Sequence, residues 1–232
     1  MNLIEIYQDT LDYGKYLLNS NTTKHEFNEI SNPVKSESKS IIKVINTDSV
    51  SALTEFSKIG KTVVLNMASY KRPGGGVVNG ARAQEECLFR CSNLGHVIPN
   101  DFYPLQDNEL LWTKDAVFFK DVNYGYMKDV HVDVVTIAAI NLNAQKVNNY
   151  EELTKNKIRL MLSMAIKNDI DNIILGAWGC GVFGNEPSVM SKMFMDVLDE
   201  GYDSMFDNVI FAIINDHNSV GNNYDEFQKV IK

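Results

Sequence analysis

The sequence predicts an α/β fold in which helices cover both faces of a central sheet. Apolar, β-branched segments alternate with segments of helical periodicity along most of the chain. Several strand-like segments, such as KTVVLNMA at 61–68 and NIILGAW at 172–178, are apolar without a period of two. That pattern is typical of strands buried on both faces.

The amino-terminal part is predicted to form a helix and a polar connector. Apolar positions at helical spacing predict an amphipathic helix over residues 3–18, in which Gly14 is unfavourable. The polar stretch that follows is predicted to be a loop. A hydrophobic content of 44% suits one sizeable domain over 1–232, with 1–40 as helix and connector and 41–232 as the core.

The core is predicted to alternate strands and helices. The strands are predicted at 41–46, 61–68, 115–121, 132–140, 172–178 and 208–215. The helices are predicted from Asp48 or Ser49 to Gly60, from Arg82 or Ala83 to about Asn93, at about 150–168, from Pro187 to about Glu200, and from Tyr224. Asp and Ser favour helix starts, Gly favours helix ends, and Pro fits a first turn. The segment 95–114 is predicted to be irregular and to form part of a cleft rim.

Composition limits the classes of function. A formal charge of −8 argues against a broad nucleic-acid surface, so duplex binding is not expected. No segment approaches the length of a membrane span, and the start of the chain does not resemble a signal peptide, so a cytoplasmic protein is expected. Cys87 and Cys91 share a helix face, but neither a CxxC pair nor a His-rich segment accompanies them. No metal site is predicted.

Two glycine-rich loops each follow a predicted strand. One contains Gly74–Gly76, and the other is GCGVFG at 179–184. Ligands of such sheets bind beyond the carboxyl ends of strands, so one cleft could hold both loops. Their backbone N–H groups would favour phosphate, and two loops suit a diphosphate. The alternative is that the glycines only mark tight turns.

The second loop also matches the dinucleotide-binding pattern G-x-G-x-x-G. That pattern normally belongs to an early βαβ unit, with an acidic residue about twenty positions later at the end of the next strand. Here the spacing falls near Asp203, before the next predicted strand. A dehydrogenase is therefore disfavoured.

The triple glycine, the spacer VVNGARA and Gln84-Glu85-Glu86 together resemble the signature of the poly(ADP-ribose) glycohydrolases (PARGs), in their shorter microbial type. The preceding VLNMASYKRPGGG resembles the strand and loop before that signature, and LGAWGCGVFGN at 175–185 resembles the diphosphate-binding loop. The resemblance spans roughly 41–216. It implies a three-layer α/β/α macrodomain-like sandwich with a mixed central sheet.

The resemblance also implies roles for individual residues. Glu86 would be the catalytic acid, Glu85 would accept hydrogen bonds from ribose hydroxyls, and Gln84 would orient this pair or contact the substrate. Adjacent helical residues point in different directions, which also favours different roles for the two carboxylates. The implied catalytic residues are Glu86 and Glu85, and the implied ligand-binding residues are Asn66, Gly74, Gly75, Gly76, Gln84, Gly179, Cys180, Gly181, Val182, Phe183 and Gly184.

The implied activity is hydrolysis of ribose–ribose O-glycosidic bonds in poly(ADP-ribose), which releases ADP-ribose. One glutamate would serve as general acid and base, and the substrate diphosphate would stabilise an oxocarbenium-like transition state. A monomer without cofactor is expected. The alternatives are a mono-ADP-ribosyl hydrolase acting on protein or nucleic acid, and a non-catalytic ADP-ribose-binding module. Lys71 and Arg72 could attract an anionic polymer, although a solvated basic turn is the default interpretation.

Overall fold

The computed structural model describes residues 2–33, 38–144, 146–215 and 222–231. The strands are β1 (Asn21–Glu26), β2 (Ile41–Ile45), β3 (Thr62–Met67), β4 (Glu109–Lys120), β5 (Tyr126–Ile137), β6 (Asn172–Leu175) and β7 (Asn208–Ala212). The α-helices are α1 (Leu3–Gly14), α2 (Ser49–Phe56), α3 (Gln84–Cys91), α4 (Leu94–Val97), α5 (Tyr150–Lys167), α6 (Pro187–Leu198) and α7 (Asn223–Val230). Among these described residues, no helix is long and apolar enough to cross a membrane.

The strands form one mixed sheet in the order β1-β4-β5-β3-β6-β7-β2. The five strands β5, β3, β6, β7 and β2 are parallel to one another, whereas β4 runs antiparallel to both β1 and β5. The predicted mixed α/β architecture is therefore confirmed. The strand that precedes the triple glycine, β3, lies at the centre of the sheet.

Two hydrophobic cores lie on opposite faces of this sheet. Val63 and Leu65 of β3 pack with residues of α5, α6 and α7. Val64 packs on the other face, with residues of α1, α2, α3 and α4. Side chains alternate along a strand, so Asn66 points to the same face as Val64, toward α3. Helical layers on both faces explain why β3 carries no period-two pattern.

The amino-terminal predictions were partly wrong. The first helix ends at Gly14, whose lack of a side chain weakens helices, and does not continue to residue 18. The polar connector contains the edge strand β1, which pairs with β4 in an antiparallel register. Its sequence NTTKHE has no apolar alternation because this strand is only partly buried. Connector residues 34–37 lie outside the described part.

The segment predicted to be irregular, 95–114, contains the start of β4 and most of α4. The strands β4 and β5 are also longer than predicted and form a continuous hairpin. Register shifts interrupt their pairing between Thr113 and Ala116 and again between Phe118 and Lys120. Such bulges shift the alternation of side chains by one position, which hides a long strand from periodicity.

Candidate active site

A cavity of about 720 Å³ opens at the carboxyl ends of β3, β6 and β7. Its walls come from the residues that follow these strands, from the start of α2 and from one face of α3. This volume lies within the range of about 300–1,000 Å³ that is usual for small-molecule sites. Both glycine loops line the cavity, in agreement with the position expected from their strands.

The loop that contains the triple glycine is held by the two carboxylates of α3. The N–H of Gly74 donates to Oε1 of Glu85 at 3.1 Å, and the N–H of Gly76 donates to Oε1 of Glu86 at 2.8 Å. Gly75 lies between them with φ 54°, and a Cβ there would approach Glu86 Oε1 to 2.7 Å and Glu85 Oε2 to 2.9 Å. The glycines thus allow the main chain to lie directly against both acids.

Glu85 is surrounded by hydrogen-bond donors. Its Oε2 accepts from the N–H of Ser69 at 2.7 Å, and its Oε1 accepts from Gly74 and, at 3.5 Å, from Nδ2 of Asn66. Burial, together with the charge of Glu86, raises the pKa of Glu85, while the donors from Ser69, Asn66 and Gly74 oppose the increase, and the net result is a pKa of about 8. Glu85 is therefore a rigidly positioned carboxyl group.

Glu86 has a different set of partners. Its side chain is buried, and Oε1 is fixed by Gly76, but Oε2 is buried and has no hydrogen-bond partner among the described residues. A buried carboxylate oxygen without a partner is costly unless a ligand or water satisfies it. The two carboxyl groups thus have different hydrogen-bond environments, and only Glu86 has a buried oxygen without a partner among the described residues.

Gln84 fixes the start of α3 to the end of β3. Its Nε2 donates to the carbonyl of Leu65 at 2.6 Å and to Ser49 Oγ at 3.1 Å, and its Oε1 accepts from the N–H of Met67 at 3.0 Å. These β3 groups lie beyond the residues that pair with β6. The side-chain amide therefore takes the place of a peptide group of the neighbouring strand. With both amide atoms engaged, Gln84 is suited to orienting the glutamates.

Asn66 is fully buried at the carboxyl end of β3. Its Nδ2 donates to Glu85 at 3.5 Å and to Thr136 Oγ1 at 3.3 Å. Its Oδ1 has no partner among the described residues. Asn66 lies behind Glu85 and does not line the cavity wall.

The second glycine loop presents unused backbone donors. The N–H groups of Gly181, Val182 and Phe183 donate to no acceptor in the described part of the chain. The loop is fixed from behind by Asn185, whose Nδ2 donates to the carbonyls of Ile140 at 2.9 Å and Gly179 at 3.0 Å. This arrangement can bind an anion through the main chain.

Most of the residues predicted to form the site meet in the cavity. Those that line it are Gly75, Gly76, Gln84, Glu85, Glu86, Gly179, Gly181, Val182 and Phe183. Those that do not line it are Asn66, Gly74, Cys180 and Gly184. The Cys180 side chain is buried in the core that contains α5 and α6, and burial raises the pKa of its thiol to about 12. Any contact of Cys180 with a ligand would involve its main chain.

Several residues of the cavity wall were not predicted from the sequence. Arg90 is fully buried and donates to the carbonyls of Leu3 at 3.2 Å and Ala81 at 2.6 Å. Its position one helical turn after Glu86 is a signal that could have identified it. Tyr124 reaches the cavity from the tip of the β4–β5 hairpin, and Asn223 reaches it from α7. The sequence pattern contains no sign that these two segments approach the site.

No group of three or more His, Cys, Asp or Glu side chains within the described residues is arranged to hold a metal ion. Cys87 and Cys91 are both free thiols, and the Cys91 thiol donates to the carbonyl of Asp121 at 3.2 Å.

Comparisons with known proteins identify similar sequences and folds. The family model described as "Microbial-type PARG, catalytic domain" matches residues 7–124, slightly more than half of the chain. A search of curated proteins found no match.

Among solved structures, the poly(ADP-ribose) glycohydrolase of Thermomonospora curvata superposes with a TM-score of 0.87 at 22% identity, with 98% of each chain covered. The same enzyme bound to the inhibitor ADP-HPD gives a TM-score of 0.86 at 22% identity, again with 98% of each chain covered. A complex of the Deinococcus radiodurans enzyme with ADP-ribose gives 0.79 at 23% identity, covering 98% of this chain and 96% of that one.

Proposed function

The chain belongs to the microbial-type PARG catalytic-domain family, and from this premise we propose that it hydrolyses ribose–ribose O-glycosidic bonds of poly(ADP-ribose) and releases ADP-ribose. The observation that carries this proposal is the pair of unequal carboxylates in the cavity. Both oxygens of Glu85 accept hydrogen bonds from groups of the protein. Oε2 of Glu86, in contrast, is buried and has no partner among the described residues.

In the proposed reaction, Glu86 is the general acid and then the general base. Its carboxylic acid donates a proton to the bridging oxygen as the bond from that oxygen to the anomeric carbon breaks, and positive charge develops on the ribose. The resulting carboxylate then takes a proton from the attacking water, which restores the acid and adds hydroxide to the anomeric carbon. No second enzyme carboxylate is needed as nucleophile.

The rest of the cavity supports binding of the terminal ADP-ribose. The free N–H groups of residues 181–183 suit its diphosphate, and Phe183 is half-buried beside them, where its ring can pack on the nucleotide. The diphosphate brings negative charge near the reacting ribose, where it stabilises the oxocarbenium-like transition state. Glu85 fixes that ribose through its hydroxyl groups.

The test is release of ADP-ribose from poly(ADP-ribosyl)ated protein by the wild type and by Glu86→Gln, with calorimetry of ADP-ribose binding to both. Glutamine keeps the size of the side chain and the hydrogen bond from Gly76 but cannot deliver the proton. We expect turnover to fall at least about a thousandfold while the Kd for ADP-ribose changes by less than about tenfold.

Two outcomes would favour the alternatives. If the wild type binds ADP-ribose but cleaves neither the polymer nor single ADP-ribosyl groups, the protein is a binding module. Release of single groups from protein or nucleic acid, with the polymer left intact, would indicate a mono-ADP-ribosyl hydrolase.

A further inference from the structure

The proposed reaction uses none of the four cationic side chains that line the cavity, which are Lys71, Arg72, Arg82 and Arg90. Lys71 and Arg72 are both exposed, and neither makes an ion pair with a described residue. The Lys71 ammonium lies 5.5 Å from the centre of the Tyr70 ring. The protein as a whole is acidic, with a formal charge of −8, so a basic pair at the mouth of its cavity is a local exception.

The loop that carries these cations is fixed at both ends. The N–H of Ser69 before them and the N–H of Gly74 after them both donate to Glu85. The short segment between these anchors cannot move far from the carboxylate pair. Lys71 and Arg72 are therefore held near the place where the glycosidic bond would be cleaved.

The same loop lies on the opposite side of β3 from the anion-binding loop at 179–184. The carbonyl of Tyr70 accepts from the N–H of Leu105, in the segment that leads into β4. The sheet order places β5 and β4 on one side of β3, and β6 with its loop on the other. Consider a substrate whose diphosphate lies on the β6 side and whose ribose lies at Glu86. The other end of that substrate would lie near Lys71 and Arg72.

We propose that Lys71 and Arg72 form a second anion subsite, which binds the diphosphate of the ADP-ribose unit on the leaving-group side of the cleaved bond. This inference rests on the proposed hydrolysis of poly(ADP-ribose). In that polymer, the leaving ribose carries its own diphosphate a few bonds from the bridging oxygen. Arginine and lysine are well suited to such an anion, and the loop at 179–184 supplies no cationic side chain. The subsite selects chains over single ADP-ribosyl groups.

The experiment compares two substrates that differ only beyond the cleaved bond. One is purified poly(ADP-ribose), and the other is a nitrophenyl glycoside of ADP-ribose, whose leaving group carries no phosphate. The enzymes are the wild type, the double variant Lys71→Gln/Arg72→Gln, and the control Lys114→Gln/Lys192→Gln. The control removes the same charge from exposed lysines that do not line the cavity.

We expect the double variant at positions 71 and 72 to lower kcat/KM for the polymer about five- to tenfold, mainly through KM. Its kcat/KM for the glycoside should change by less than about twofold, and its dependence on salt with the polymer should weaken. The control variant should differ little from the wild type with either substrate.

Equal losses with both substrates would overturn the inference, because the cations would then act on the terminal ADP-ribose itself. Equal losses of kcat/KM for the polymer in the double variant and in the control would overturn it too, since general attraction of the polymer to positive charge would explain them. A wild type that cleaves neither substrate would refute the proposed function, and the inference with it. A wild type that cleaves both substrates, with unchanged kinetics in the variant, would refute the subsite alone.

Discussion

The two loops are both rich in glycine, but their backbone N–H groups have different partners. In the loop after β3, the N–H groups of Gly74 and Gly76 donate hydrogen bonds to Glu85 and Glu86, respectively. In the loop after β6, the N–H groups of residues 181–183 have no acceptor among the described residues. The first loop therefore organises carboxylates of the protein, and only the second remains open to an anionic ligand.

This difference revises the expectation that both loops bind a diphosphate through their backbone. A phosphate at the first loop would compete with two buried carboxyl groups for the same donors, and the charge of Glu86 would repel it. Glycine is required there because the main chain must approach side chains of its own protein. Glycine content alone thus does not identify a phosphate site. What identifies one is whether the backbone N–H groups of the loop already donate to acceptors of the protein.

Gly75→Ala should produce the largest effect, because it acts on both carboxylates at once. The new Cβ would lie within 3 Å of an oxygen of each glutamate, on a backbone with φ 54°. We expect turnover to fall at least about a hundredfold, since small displacements of reacting groups have effects of that size. The free energy of unfolding should fall by about 1–3 kcal/mol, measured by urea denaturation.

Gly80→Ala is the matched control for that variant. Gly80 also has positive φ, 75°, but a Cβ there would meet nothing nearer than Ile4 at 3.5 Å. It should lose about 1 kcal/mol of stability from backbone strain and keep most of its turnover. Equal loss of turnover in both variants would mean that strain, and not displacement of the carboxylates, explains the requirement for glycine.

Glu85→Gln should change how stability depends on pH. Burial and the neighbouring Glu86 raise the pKa of Glu85 to about 8 in the folded protein, above its ordinary value of 4.5. The folded state therefore holds this proton more tightly, so the stability it contributes is complete below pH 4.5 and is lost as pH rises through 8. We expect the stability of the variant relative to wild type to increase by about 1–3 kcal/mol between pH 5 and pH 9.

The exposed Glu5 provides the control for this measurement, because Glu5→Gln removes the same charge from the surface of α1. Its stability relative to wild type should stay nearly constant over this pH range. A constant difference for Glu85→Gln as well would show that Glu85 is already ionised at low pH in the folded protein, held by its three donors.

Much of the fold and of the site followed from the sequence, because strong local patterns encode them. The strand β3 contains an apolar, β-branched run and is buried at every residue but Met67, and the triple glycine and the acidic helix start follow it in the sequence. The hydrogen bond that the Gly76 N–H donates to Glu86 was not predictable, since it depends on how closely a loop and a helix approach in three dimensions. The direction of the Cys180 side chain could not be predicted either, because an irregular loop has no periodicity that assigns side chains to one face.

The parts of the cavity wall that were missed come from distant segments. Tyr124 lies in the turn of a hairpin whose register shifts break the alternation of its side chains, so the sequence pattern does not show that this turn reaches the cavity. Arg90 donates to Leu3, so the start of α1 is joined to the helix that carries the glutamates. Both contacts connect segments far apart in the chain, and local periodicity carries no information about them.

Gly181→Ala should give a smaller effect that is confined to binding, which would complete the contrast between the loops. Gly181 lines the cavity with an unused N–H and is not among the glycines with positive φ, so alanine is compatible with its backbone. The added methyl group would occupy space that a bound diphosphate needs, and we expect the Kd for ADP-ribose to rise about tenfold by calorimetry. Stability should stay within about 0.5 kcal/mol of wild type. The contrary result would be that Gly181→Ala unfolds part of the protein while the molecules that remain folded bind ADP-ribose with unchanged affinity. This loop too would then serve the fold, and the anion would have to bind elsewhere in the cavity.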